Sequence, residues 1–185
     1  MKILCVGDSI TEGYGINHSQ RWSNLLSKSL SIEVVNCGIS GDTTGGMLAR
    51  FYSLLLQHQP SHVIILGGTN DLWFDLPDAQ IMSNITAMSR QAKYLNIIPI
   101  IGIITPFYAE KATEKGAFIS NEHYKVRIER FQESLKGFLK DDTQLIIDFS
   151  ENMPSQLFME DGLHPNEKGH KVLQEYATLV LKKLL

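Results

Sequence analysis

The chain has 185 residues, 43% of them hydrophobic and 20% charged, with a net charge of −3. That length suits one domain with a sizeable core and is short for two, so residues 1–185 read as a single domain. The charge balance and the absence of a Lys/Arg run exclude an evident nucleic-acid or anionic-membrane partner, and no apolar stretch nears the roughly 20 residues of a membrane span.

The first apolar run, Lys2–Val6, reads as a strand and leads straight into Gly7-Asp8-Ser9. It is too short for a signal peptide, so the protein reads as cytoplasmic unless a leader was removed. Trp22, Leu25, Leu26 and Leu30 then mark a helical face. A second strand, Glu33–Asn36, runs into NCGISGDT, Asn36 to Thr43, and the face Met47, Leu48, Phe51, Leu54 and Leu55 follows. The third strand, His62–Leu66, ends in GGTNDLW, Gly67 to Trp73, ahead of the face Ile81, Ile85, Met88 and Ala92. The fourth strand, Ile97–Thr105, opens the longest irregular stretch, Pro106 to Asn121, which carries Phe107, Tyr108 and Phe118 amid Glu110, Lys111, Glu114 and Lys115. The next helical face is Ile128, Phe131, Leu135 and Phe138. The fifth strand, Leu145–Phe149, precedes DGLHP, Asp161 to Pro165, and a last helix on Val172, Leu173, Tyr176, Val180 and Leu184.

The strands are rich in Ile and Val with little polar alternation, as in parallel strands buried on both faces. Alternation of strand and helix makes this an α/β protein, and right-handed crossovers make it doubly wound. Five strands fit the order 2-1-3-4-5, with a crevice at their carboxyl ends. Cys5 and Cys37 lie in strand-like contexts and read as buried free thiols. No Cys/His cluster has zinc spacing, so no metal is expected, and no cofactor. Neither G-x-x-x-x-G-K-[ST] nor G-x-G-x-x-G occurs, which disfavours a nucleotide-binding domain.

The polar clusters all follow strands, so distant parts of the chain should meet at one edge. A serine hydroxyl becomes a nucleophile when a base takes its proton, and the usual base is a histidine oriented by a carboxylate. Of the six histidines, His164 alone has an aspartate, Asp161, three residues earlier. Pro165 holds His164 out of helical backbone, and Asn166 is placed to cap the helix that follows. Asp-x-x-His-Pro fits catalysis or a capped helix start equally. Candidate donors for a tetrahedral oxyanion are the Ser9 and Gly41 N–H groups and the Asn70 side chain. G-x-S-x-G is absent, since the residue two after Ser9 is Thr11.

Taken together, Gly7-Asp8-Ser9, Gly41, Asn70 and Asp161-x-x-His164 resemble, in order and spacing, the SGNH hydrolases, also called GDSL esterases/lipases. The likeness runs from Ile3 to the last helix, and VVNCGISGDTTGGMLARF and DGLHPN are similar to small bacterial lysophospholipase and thioesterase types. Ile10 stands where the family motif has leucine, an apolar residue either way. The resemblance implies a flavodoxin-like three-layer α/β/α sandwich. It implies Ser9 as nucleophile, His164 as base, Asp161 as its orienting partner, and an oxyanion hole at the Ser9 and Gly41 N–H groups and the Asn70 side chain. Asp8 then holds the loop through neighbouring backbone N–H groups. The expected function is hydrolysis of small or medium acyl esters or thioesters. A carbohydrate O-acetyl esterase is the alternative within the family, and a non-catalytic ligand-binding domain the alternative outside it. Trp73, Phe74, Phe107 and Tyr108 either line an acyl pocket or pack in the core, and the 106–121 stretch is expected to set substrate preference. Oligomeric state is not readable.

Overall fold

In the computed structural model, which describes residues 1–112, 120–140 and 145–184, five parallel strands lie in the order β2-β1-β3-β4-β5. They are β1 (Lys2–Gly7), β2 (Glu33–Gly38), β3 (His62–Leu66), β4 (Ile98–Ile103) and β5 (Leu145–Asp148). The unalternated apolar runs have the reason expected of them: β1 and β3 are central, and nearly all of their residues are buried. Leu4 is paired with Val35 on one side and Val63 on the other, and Ile64 with Ile100. β2, at the edge, is only half-buried, which leaves Cys37 partly exposed, whereas Cys5 in β1 is fully buried. β4 and β5 are shorter than their apolar runs, because Ile104, Thr105 and Phe149 are buried beyond the last ladder pair.

The helices are α1 (Ser9–Glu12), α2 (Trp22–Leu30), α3 (Thr44–His58), α4 (Thr69–Trp73), α5 (Asp78–Tyr94), α6 (Asn121–Lys140) and α7 (Glu167–Leu181). α2 packs on α7 over one face of the sheet, and α3 on α5 over the other. α6 reaches α5 at Gly68, where a Cβ would touch both Ile81 and Phe131. This is the doubly wound three-layer arrangement. The inward side of α6 differs from the sequence expectation. The helix begins at Asn121, about two turns before Ile128, and its buried stripe runs through Tyr124, Ile128, Phe131, Leu135 and Leu139. Phe138 falls one step off that stripe and is 48% exposed.

Asn166 caps α7 by accepting the Lys168 and Gly169 N–H groups at 3.0 and 3.1 Å. α2 has no side-chain cap from its own N-cap residue, and its first N–H, on Trp22, donates instead to His170 Nδ1 of α7 at 3.1 Å. His170 is buried and must stay neutral to accept that bond. Burial, helped by the positive charge of Arg21 and by His164, holds its pKa down at about 4 from an ordinary 6.5. The unfolded chain therefore takes this proton first, so the contribution is complete above pH 6.5 and is lost as pH falls towards 4. The loss amounts to roughly 3 kcal/mol. Asp8, raised by burial to about 6, acts in the opposite sense between its ordinary 3.8 and 6. The readout is therefore the difference between wild type and His170→Asn, whose side-chain oxygen can accept the Trp22 N–H without titrating. Urea midpoints should converge as pH falls from 7 to 4.5, and a constant gap would show that His170 does not titrate as argued.

Candidate active site

β1 ends at Gly7 in the middle of the sheet, and the chain turns at once into a single helical turn. Asp8 makes that turn: its Oδ1 accepts the Ile10 N–H at 2.9 Å as the N-cap of α1. Ser9 is the first residue of α1, with its side chain nearly buried. One end of the site is therefore set by a strand terminus rather than by a mobile loop.

The other end is the turn ahead of α7. Asp161 Oδ1 accepts the N–H groups of Leu163 and His164 at 2.9 and 3.0 Å, and its Oδ2 meets His164 Nδ1 at 2.6 Å. A carboxylate can only accept, so Nδ1 carries the imidazole proton and Nε2 presents its lone pair. That lone pair faces the Ser9 hydroxyl, with Nε2 and Oγ 2.9 Å apart. Partial burial would raise the Asp161 pKa, but the bonds from the His164 ring and the two N–H groups outweigh it and hold the carboxyl at about 2. Asp161 thus stays ionised wherever the protein works.

Gly162 allows this turn. Its φ of +69° is left-handed, and a Cβ there would stand 2.2 Å from the Tyr108 carbonyl oxygen. Its own carbonyl accepts the Tyr108 N–H at 2.9 Å. Gly162→Ala should destabilise the fold by roughly 1–3 kcal/mol, from backbone strain alone. It should also lower kcat by about 10²-fold through displacement of His164. Gly137→Ala, in open space on α6, is the control and should raise Tm. Equal thermal and kinetic behaviour of the two variants would remove this role for Gly162.

The loops after β2 and β3 bring further amide groups to the same edge of the sheet. The loop after β2 carries Gly41 at φ +80°. Ser40 in that loop donates its N–H to Glu12 Oε2 at 2.8 Å, which ties the loop to α1. Asn70, in α4 after β3, donates Nδ2 to the Asp42 carbonyl at 2.9 Å, and its second amide hydrogen has no acceptor among the described residues. Among the described residues, the Ser9 and Gly41 N–H groups have no hydrogen-bond acceptor. A cavity of about 130 Å³ is lined by His164, Asn70, Trp73, Phe107, Tyr124 and Leu163. The Tyr124 ring stands edge-on to Trp73 and Phe107, with centroids 5.0 and 4.8 Å away, and its hydroxyl donates to the Thr69 carbonyl at 3.0 Å.

The sequence profile of the GDSL-like Lipase/Acylhydrolase family matches residues 5–172. The chain belongs to that family. It is a carboxylic ester hydrolase. Relatives of this GDSL hydrolase include Esterase TesA of Pseudomonas aeruginosa, 33% identical over 99% of this chain and 89% of that protein. Another is Thioesterase 1/protease 1/lysophospholipase L1 of Escherichia coli K12, 28% identical over 99% and 84%. The crystal structure of TesA superposes with a TM-score of 0.83 at 28% identity, covering 100% of both chains.

The structure of this GDSL hydrolase brings Ser9, His164, Asp161, Gly41 and Asn70 to one edge. Trp73 and Phe107 line the cavity. Tyr108 does not appear in that lining among the described residues: its ring packs 5.1 Å from Phe158 and its hydroxyl donates to the Met153 carbonyl. It braces the segment that carries His164. Lys111 does the same through the Phe158 and Ser155 carbonyls at 2.8 and 3.2 Å. Phe74 is largely exposed. Phe118, Glu114 and Lys115 lie outside the described residues.

Sequence reasoning missed Tyr124, although it sits one helical turn before Ile128. It also missed Tyr14, whose ring lies 4.6 Å from that of His164, tilted 38°. The flanking Gly13 and Gly15, just after the Ser9 turn, were the available signal. Among the described residues no three His, Cys, Asp or Glu side chains are grouped to hold a metal, and no helix is long and apolar enough to cross a membrane.

Proposed function

We propose that the protein hydrolyses small or medium acyl esters and thioesters through an acyl-enzyme on Ser9, with residues 1–185 acting as one catalytic unit. The observation that carries this reading is the continuous hydrogen-bond chain Ser9 Oγ–His164 Nε2–Asp161. As Oγ attacks the acyl carbon, its proton passes to Nε2. The carbonyl electron pair moves to oxygen, where the Ser9 and Gly41 N–H groups and the Asn70 amide receive the negative charge. Collapse breaks the bond to the alcohol or thiol, which takes the proton from Nε2. A water molecule then gives a proton to His164 as it attacks the acyl-enzyme, releasing the acid and restoring Ser9. Asp161 remains a carboxylate throughout and stabilises the imidazolium.

The aromatic cavity beside His164 supports an acyl chain as occupant more than a polyhydroxylated sugar. The test is a panel of p-nitrophenyl esters from acetyl to palmitoyl, an acyl-CoA, a lysophospholipid and an acetylated sugar, with mass spectrometry after an alkylphosphonate. Hydrolysis of acyl esters or thioesters with a single adduct on Ser9 is expected. Turnover confined to the acetylated sugar would favour the O-acetyl esterase reading, and an adduct elsewhere would overturn the serine assignment.

A further inference from the structure

We propose that Arg50 is the positioning residue of the oxyanion site, one guanidinium that holds the β1 terminus, the Gly41 loop and Asn70 in mutual register. This rests on Ser9, Gly41 and Asn70 being the oxyanion donors. The sheet fixes those donors only as far as the strand ends, at Gly7, Gly38 and Leu66. Gly41 lies three residues beyond the end of β2, on an exposed loop whose internal backbone bond is Asp42 N–H to the Ile39 carbonyl, 3.1 Å. Ile39 and Ser40, before Gly41, are tied to the Gly7 carbonyl and Glu12, so a preorganised site also needs the residue after it, Asp42, held from outside.

Arg50 projects from α3 into the gap. Its Nη1 donates to the Cys37 carbonyl at 2.7 Å, next to the end of β2. Its Nη2 donates to the Gly7 carbonyl at 3.1 Å, two residues before the nucleophile. Its Nε donates to Asp42 Oδ2 at 2.9 Å, and Nη2 is also 2.9 Å from that oxygen. Asp42 follows Gly41, and its carbonyl is the oxygen that accepts the Asn70 amide. From behind, the Asp42 carboxylate rests on Gly46, where a Cβ would stand 1.9 Å from Oδ1. One side chain therefore links the strand that carries Ser9, the loop that carries Gly41 and the carbonyl that orients Asn70. The planar fork reaches these acceptors together, and the single ammonium of a lysine does not reproduce that geometry.

The test compares Arg50→Met, Arg50→Lys, Asn70→Ala and Arg50→Met/Asn70→Ala on a p-nitrophenyl ester. Active sites are counted by phosphonate titration, and Tm is recorded. Arg50→Met should lower kcat per titrated site by about 10–10²-fold, with KM within about twofold, since it displaces donors that act mainly on the transition state. Arg50→Lys should recover only part of this. In the Asn70→Ala background Arg50→Met should cost several-fold less, because a donor it holds is already gone. Asp42→Asn, which weakens one link and leaves the two carbonyl bonds, should give a smaller loss of the same kind and serves if Arg50→Met does not fold. Wild-type kcat per titrated site with a lowered Tm would make Arg50 merely structural, and full additivity with Asn70→Ala would also overturn the proposal. If Asn70→Ala keeps its kcat, the oxyanion reading itself fails and this proposal falls with it.

Discussion

Ser9→Ala is expected to lower kcat by a factor on the order of 10⁶, as loss of the nucleophile does in a well-studied serine triad. The fold should survive. Among the described residues Ser9 Oγ bonds His164 Nε2 alone, and α1 is built by Asp8 and by backbone bonds from Glu12 and Gly13. Circular dichroism and Tm should therefore stay near wild type while ester turnover and phosphonate labelling disappear. The residual rate should exceed that of water, because the amide donors and the cavity remain. Adding His164→Ala to Ser9→Ala should cost little more, since the two act as a unit. Ordinary turnover by Ser9→Ala, or losses that multiply in the double variant, would contradict the assignment.

Asn70→Ala should lower kcat by about 10²–10³, or roughly 2.7–4 kcal/mol of barrier, with KM little changed. On the proposed oxyanion reading, the charge its amide would meet exists only as the tetrahedral intermediate forms, so the interaction would belong to the transition state. The structure adds a second expectation. Asn70 also donates to the Asp42 carbonyl, so the alanine variant should lose about 1 kcal/mol of stability from that bond. Asn70→Asp should be at least as damaging to kcat, because a carboxylate would repel both the oxyanion and the Asp42 carbonyl. If Asn70→Ala loses stability while its kcat persists, Asn70 is a loop tie and nothing more.

The sheet was legible because parallel strands buried on both faces leave unbroken Ile/Val runs, and the strand order follows from handedness once the elements alternate. The polar clusters after those strands were legible for the same reason: each sits where a strand stops. What failed to show were properties set by partners distant in sequence. Tyr108 and Phe107 are neighbours with the same aromatic character, yet one faces the cavity and the other braces the Asp161–His164 segment through Phe158 and Met153. Only the turn held by Gly162 separates their roles. Phe138 and Leu139 both lie three or four residues after Leu135, so spacing alone admits either, and the packing of α6 buries Leu139. Arg50 is one cation among seventeen Lys and Arg residues in the sequence; its meaning comes from three acceptors that only the fold collects. α1 and α4, of four and five residues, are too short to carry a period.

The bond between Ser9 and His164 joins residues 155 positions apart. At synthesis rates of roughly 5–20 residues per second, His164 follows Ser9 after about 8–30 s. During that interval β1 has its neighbours β2 and β3, but Ser9 lacks His164. Since His164 lies between β5 and α7, and α7 packs on α2, a nascent chain is expected to become competent only once that part of the chain has docked. Catalytic activity in this fold should then be a late event of biogenesis, and ester turnover by ribosome-bound chains of graded length would time the docking of α7 directly.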